Sequence, residues 1–356
     1  MPMANAKSKF SKLGLDFPYM IAPMVGLSHV AFRDLIKAYT PPNVKPLRFT
    51  EMLSTRRLPS ERLDSSRELM VSEGEDFFVP QILGNEEQFI RPSIEKLAKL
   101  SPWGFDINMG CPQSHILKHN WGVRLVGDAR YAAEVVGHVK RATNLPVSVK
   151  LRGGADKDTD LDYLLNFTEI LEDAGLDWLT IHPRPRSAAH HEGIANWAIA
   201  AEIARARNIP VVVNGDLQTA ADAVHVVSEL GCDGAMIARA ATVRPWILWQ
   251  IAYLLDPEGT PTTFNGRHLP MDTAAEGKEY YRSFLLLIEL LLKHFGDNEY
   301  SLQKARFFAA TGSRWFLFGH SFWRLTMKAK KLVELWDRVS EHAEKSSGEM
   351  SQRIDL

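Results

Sequence analysis

Lys150 ends the apolar run 147–150, and Gln81, Asn108, His182 and Asn214 each stand at or just past the end of a similar run. A lysine, a histidine, two asparagines and a glutamine at such positions suggest a ring that binds something polar and planar. A cation placed like Lys150 stabilises negative charge on a reduced cofactor or an enolate; taken alone it equally suits an ion pair with a nearby carboxylate. Cys111 follows in Asn108-Met109-Gly110-Cys111-Pro112. At its ordinary pKa of about 8.5 a thiol is protonated at neutral pH and has a proton to give, although many lone cysteines serve only as small buried side chains. Val213-Asn214-Gly215-Asp216 and Met236-Ile237-Ala238-Arg239-Ala240 join small turn residues to a guanidinium. That suits a phosphate held on backbone N–H groups and Arg239; a plain tight turn at Gly215, with Arg239 paired to an acid, is the alternative. His182 opens His182-Pro183-Arg184-Pro185-Arg186. With no cysteine or acidic residue at ligand spacing, no metal site is expected.

Gathering these residues requires a scaffold that brings many strand ends to one face. Short apolar runs predict strands at 19–22, 47–50, 78–82, 104–108, 147–150, 178–181, 211–214 and 234–238. Amphipathic stretches between them predict helices at 86–99, 129–142, 160–174, 197–206 and 220–230. Strand–helix alternation over about 230 residues matches a closed (β/α)₈ barrel, whose chemistry sits at the C-terminal ends of its strands. An open doubly wound sheet would carry a glycine-rich turn after its first strand, and here that strand ends in Ala22-Pro23-Met24.

Residues 1–18 read as a lead-in and 19–255 as the catalytic barrel. The Pro-, Gly- and Thr-rich 256–273 reads as a linker, 274–345 as a smaller all-helical domain, and 346–356 as a flexible tail. The 356 residues carry 45% hydrophobic side chains and a net charge of −1, so bulk charge argues neither for nor against a nucleic-acid partner. Two cysteines exclude a disulfide scaffold; Cys232 falls at the opposite end of the barrel from Cys111 and reads as structural. No apolar run reaches the ~18 residues of a membrane span, and a monomeric cytoplasmic protein is the expectation.

The ordered blocks make the family recognisable. Ala22-Pro23-Met24-Val25-Gly26, Thr50-Glu51-Met52, Gln81-Ile82-Leu83-Gly84, Asp106 to Pro112, Val149-Lys150-Leu151-Arg152, His182-x-Arg184-x-Arg186, Pro210 to Asp216 and Asp233 through Arg239 to Trp246 together resemble the tRNA-dihydrouridine synthases. The resemblance implies FMN as cofactor, NADPH as reductant and tRNA as partner. It implies that Pro23 and Met24 pack on the flavin ring, that Gln81 and Lys150 bond its polar edge, and that His182 contacts it. It implies further that Asn214, Gly215, Asp216, Ala238 and Arg239 hold the phosphate and Asn108 the target uracil. Arg184 and Arg186 belong to the expected RNA-facing loop. The implied reaction delivers hydride to C6 of an extruded uracil and a proton from Cys111 to C5. The chain departs from the family at Ala238 and Ala240, where glycine is usual, at Pro183 and Pro185, and at Ala188 and His190.

The C-terminal helices fit an RNA partner. Between Ser301 and Val333 there is no acid, while Lys304, Arg306, Arg314, Arg324, Lys328, Lys330 and Lys331 supply positive charge. Trp315, Phe316, Phe318, Phe322 and Trp323 interleave with them and serve either as base-stacking surfaces or as core. Two other classes remain open from sequence: a flavin barrel reducing a small-molecule C=C bond, as ene reductases and dihydroorotate dehydrogenases do, and an RNA-binding protein keeping the barrel only as scaffold.

Overall fold

A computed structural model describes residues 9–153, 160–185, 193–317, 319–346 and 348–355. Strands β1 (Tyr19–Ile21), β2 (Arg48–Ser54), β3 (Phe78–Leu83), β4 (Phe105–Met109), β5 (Val147–Arg152), β6 (Trp178–His182), β7 (Val211–Asn214) and β8 (Gly234–Ile237) close into a parallel barrel. Its seam pairs Tyr19 with Ala235 and Ile21 with Ile237. All eight runs expected from sequence are strands. Around them lie α1 (Val30–Ala38), α2 (Glu87–Ala98), α3 (Ser114–Leu117), α4 (Ala129–Ala142), α5 (Leu161–Asp173), α6 (Trp197–Ala206), α7 (Ala220–Ser228), α8 (Ala240–Val243) and α9 (Ile247–Leu255). After β2, only short 3₁₀ turns at Leu58–Ser60 and Arg67–Leu69 stand where a helix would.

Period-two alternation decides what the barrel holds. In β5, Val147, Val149 and Leu151 pack outward against the helices, which leaves Ser148, Lys150 and Arg152 on the inner face. Met20, Phe49, Val79, Trp178, Val212 and Met236 fill the inner floor, closed from below by Phe10 and Leu15. Polar inward positions above this floor are therefore the ones that reach the mouth. In β2 the register shifts between Phe49 and Met52, a bulge that re-aims the strand end. The Thr50 hydroxyl fills the gap, accepting from the Gln81 N–H at 3.1 Å and donating to the Glu51 carbonyl at 2.7 Å.

The segment read as a linker forms a hairpin, β9 (Thr263–Phe264) with β10 (Arg267–His268), turned by Asn265 and Gly266 at φ +50° and +71°. Four helices follow: α10 (Thr273–Phe295), α11 (Glu299–Ser313), α12 (Gly319–Lys328) and α13 (Leu332–Lys345). One apolar cluster runs without interruption from the barrel helices through Trp246 and Trp315 to Tyr280, Phe308 and Leu335. The last described segment, 348–355, does not behave as the loose tail expected. Met350 is buried, the Ser351 N–H bonds the Trp315 carbonyl at 2.7 Å, and Ile354 exchanges two hydrogen bonds with the Gln218 side chain. No described helix is long and apolar enough to cross a membrane.

Candidate active site at the barrel mouth

Strand register places Gln81, Asp106 and Ser148 side by side, with Asn108 beside Lys150. The buried Asp106 carboxylate accepts from the Ser148 hydroxyl at 2.5 Å and from Gln81 Nε2 at 2.6 Å. Gln81 Oε1 accepts from Asn108 Nδ2 at 2.8 Å. Asn108 Oδ1 in turn accepts from the backbone N–H groups of Gly110 and Cys111 at 3.1 and 3.0 Å. Burial raises the Asp106 carboxyl to about 7 against the pull of its hydrogen bonds and of Lys150. Burial likewise lowers the Lys150 ammonium to about 8, opposed by Asp106.

Cys111 is half-buried beside Met52, Leu83, Ile116 and Trp121. Its carbonyl accepts from the Val123 N–H at 3.1 Å. Gly122 approaches so closely that a Cβ there would lie 2.5 Å from the same oxygen. The loop is thus pinned at both ends of the cysteine. Burial pushes the thiol up from its ordinary value, with Lys150 a smaller opposing influence. The thiol therefore carries its proton at neutral pH, as a proton donor must.

A cavity of about 440 Å³ opens beside this ring, lined by Met24, His182, Asn214, Gly215, Arg239 and, from α11, Phe307. Asn214 Nδ2 donates to the Met236 carbonyl at 2.7 Å, fixing β7 to β8. Burial and the surrounding cations, Lys150 foremost, hold the His182 imidazole neutral, well below its usual pKa. Its Nε2 is buried and has no hydrogen-bond partner among the described residues. Gly215 adopts φ +105°, and a Cβ there would lie 2.7 Å from that Nε2. Gly215→Ala is accordingly expected to cost roughly 1–3 kcal/mol in backbone strain and to displace His182. Weakened retention of an anionic cofactor, read by equilibrium dialysis, is the check; unchanged retention would remove this turn from the site.

Asp216 follows at φ +56°. Its carboxylate faces Arg184, at 2.6 and 2.8 Å, and the Ala195 N–H at 2.8 Å, with Arg239 3.7 Å away. Arg184, expected on an RNA-facing loop, is instead 1% exposed and held by this pair. It props Asp216 and presents nothing to an RNA. Arg239 stays part-exposed at the cavity wall. Arg186, Ala188 and His190 lie outside the described residues.

The helices complete the mouth. Glu51, turned by the β2 bulge, accepts from the Gly26 N–H at 2.7 Å and from Lys304 Nζ of α11 at 3.0 Å. Lys304 is therefore a tie between barrel and helices, not the free phosphate-binding cation its place in the basic run suggested. Arg314 is exposed on the cavity rim and donates to the Asp355 carbonyl at 3.2 Å. Lys328, Lys330 and Lys331 are exposed where α12 passes to α13. Of the interleaved aromatics, Trp315 and Phe322 are core, Phe316 and Trp323 are half-buried, and Phe318 lies outside the described residues.

The structure thus brings Gln81, Asn108, Cys111 and Lys150 to one side of the mouth, and Met24, His182, Asn214, Gly215, Ala238 and Arg239 to the cavity beside it. Pro23 stands half-buried in the loop after β1. Asp106 and Ser148 escaped the sequence reading. The signal was parity: each lies two residues before a mouth residue, on the same inward face.

The dihydrouridine synthase (Dus) family matches residues 20–303 of the chain. A Rhodobacter capsulatus protein named a probable tRNA-dihydrouridine synthase is 31% identical over 292 residues, 80% of this chain and 86% of its own. The tRNA-dihydrouridine synthase B of Pseudomonas aeruginosa is 32% identical over 255 residues, covering 70% of this chain and 71% of its own. That of Xanthomonas axonopodis pv. citri is 34% identical over 241 residues, covering 66% and 69%.

Proposed function

The chain belongs to the dihydrouridine synthase family, and from that premise we propose that it reduces uridines of tRNA to 5,6-dihydrouridine with FMN and NADPH. The observation that carries the reading is that the strand register sets Lys150 beside Asn108, whose Oδ1 holds the Cys111 N–H at 3.0 Å, so that a buried cation and a thiol flank one polar mouth. The residues present fit FMN. Gly215 leaves room beside His182 Nε2, which has no partner among the described residues, Met24 offers an apolar face, and Arg239 supplies a cation for the phosphate. When bound, the flavin supplies the hydride for C6, replenished by NADPH.

The chain's own groups do the rest. Lys150 stabilises negative charge at the cofactor's polar edge. Gln81 bonds the cofactor's polar edge with Lys150, Asn108 holds the base, and the Cys111 thiol gives its proton to C5. An uracil stacked inside folded RNA cannot reach a barrel mouth, so the target base must be extruded. Arg314 on the rim and Lys328, Lys330 and Lys331 on the helices provide cations for the RNA backbone.

The test is NADPH oxidation by the FMN-loaded protein with and without unmodified tRNA. Oxidation that depends on tRNA supports the reading; oxidation that proceeds equally with a small enone and ignores tRNA contradicts it. The lysines give a separate prediction. Replacing Lys328, Lys330 and Lys331 together with alanine should weaken tRNA binding and reduce its salt slope by roughly 2–3. An unchanged slope would exclude them from the interface.

A further inference from the structure

Asp106 is joined to the Cys111 backbone by an unbroken chain of hydrogen bonds through two amide side chains, Gln81 and Asn108. An amide nitrogen only donates, so the 2.6 Å bond between Gln81 Nε2 and Asp106 fixes which end of Gln81 faces the carboxyl, while Ser148 Oγ holds its other oxygen. Once Gln81 turns its Nε2 to Asp106, its Oε1 must face the other way, and there it meets Asn108 Nδ2 at 2.8 Å. That in turn fixes Asn108 Oδ1 toward the N–H groups of Gly110 and Cys111. Gln81 is buried and Asn108 half-buried, with Nδ2 also facing Met52 Sδ at 4.0 Å, so Asn108 is the amide whose donor lies nearer the mouth.

The chain of amides is anchored at both ends, by the Gly110 and Cys111 N–H groups on Asn108 Oδ1 and by Asp106 on Gln81 Nε2, and without the carboxylate the Gln81 end loses its anchor. A flipped Asn108 would turn its NH₂ group against two backbone N–H groups and release the Cys111 loop. We propose that Asp106 is a positioning residue, a buried carboxylate that sets the Gln81 and Asn108 amides as donors and, through Asn108, holds the Cys111 loop in place. It touches neither substrate nor thiol. Its role in uridine reduction rests on the function proposed above; its hold on the loop does not.

The experiment is a double-mutant cycle on Asp106→Asn and Asn108→Ala in the full chain, with two readouts. The first is the rate of Cys111 alkylation by iodoacetamide, which needs neither flavin nor tRNA; Cys232 is buried and mass mapping separates the two thiols. The second is single-turnover uridine reduction by the FMN-loaded protein. Asp106→Asn is expected to change the alkylation rate several-fold and to slow reduction by at least about tenfold, the loss of one oriented hydrogen bond of about 1.4 kcal/mol. In the Asn108→Ala background it should add little to either. Losses that multiply independently, or a single variant indistinguishable from the parent, overturn the proposal. If Asp106→Asn does not fold, Ser148→Ala enters the same cycle: it removes one donor to the carboxylate and should couple to Asn108 in the same sense. A parent protein that reduces no uridine, while the alkylation cycle still couples, would refute the proposed function and leave the positioning role standing.

Discussion

Replacing Cys111 with alanine is expected to leave FMN bound and to slow uridine reduction by roughly 10²–10⁴-fold, the usual worth of a placed general acid. The thiol lies outside the lining of the cofactor cavity, so its removal takes no contact from that cavity. Its carbonyl and N–H, which anchor the loop, survive in alanine. The loss should therefore fall on the turnover of bound tRNA and not on tRNA affinity, which separates a missing proton from a misplaced loop. Rapid reduction by Cys111→Ala would assign the proton to another acid.

The second large effect is expected at Lys150. Lys150→Met keeps much of the side chain's length and removes its charge, and should lower uridine reduction by roughly 10²–10³-fold, as loss of a preorganised charge partner does elsewhere. The pH dependence gives a sharper signature. Burial places the ammonium at about 8, so activity that depends on its charge should fall as pH rises through that value. The raised thiol titrates higher and does not explain this limb. Stability moves the other way. Above about 8 the folded chain has released this proton, while the unfolded chain keeps it to the ordinary lysine value of about 10.4. Stability therefore gains with pH across that window. Both trends should vanish in Lys150→Met; an alkaline limb that persists unchanged would assign it to another group.

Much of this was legible in the sequence because barrels write their plan locally. Each strand is a short apolar run, and its inward parity fixes which residue reaches the mouth; Lys150, Asn108, Gln81 and His182 could be placed by counting. What was not legible depends on partners distant in the chain. Arg184 looked like a substrate residue until Asp216, 32 positions later, took its guanidinium. Lys304 looked like a phosphate contact until Glu51, 253 positions earlier, claimed it. The bulge that turns Glu51 toward it follows from pairing between β2 and β3, which neither strand's sequence states alone. The C-terminal segment reads as polar and unpatterned in sequence, and its order comes from bonds to distant residues such as Gln218 with Ile354. By contrast the Asn265-Gly266 hairpin carried a local turn signal inside a stretch otherwise read as linker. Asp106 was hidden for a different reason: a carboxylate amid apolar strand residues gains meaning only once Gln81 and Ser148 are beside it.

The central claim is tested most directly by nucleoside mass spectrometry on unmodified tRNA incubated with the protein, FMN and NADPH. The account predicts a uridine that gains two hydrogens, one at C6 and one at C5, with the product absent when Cys111→Ala replaces the parent over the same interval. Tested on tRNA from a strain lacking dihydrouridine, a flavin-loaded protein that oxidises NADPH yet leaves every uridine unchanged would contradict it.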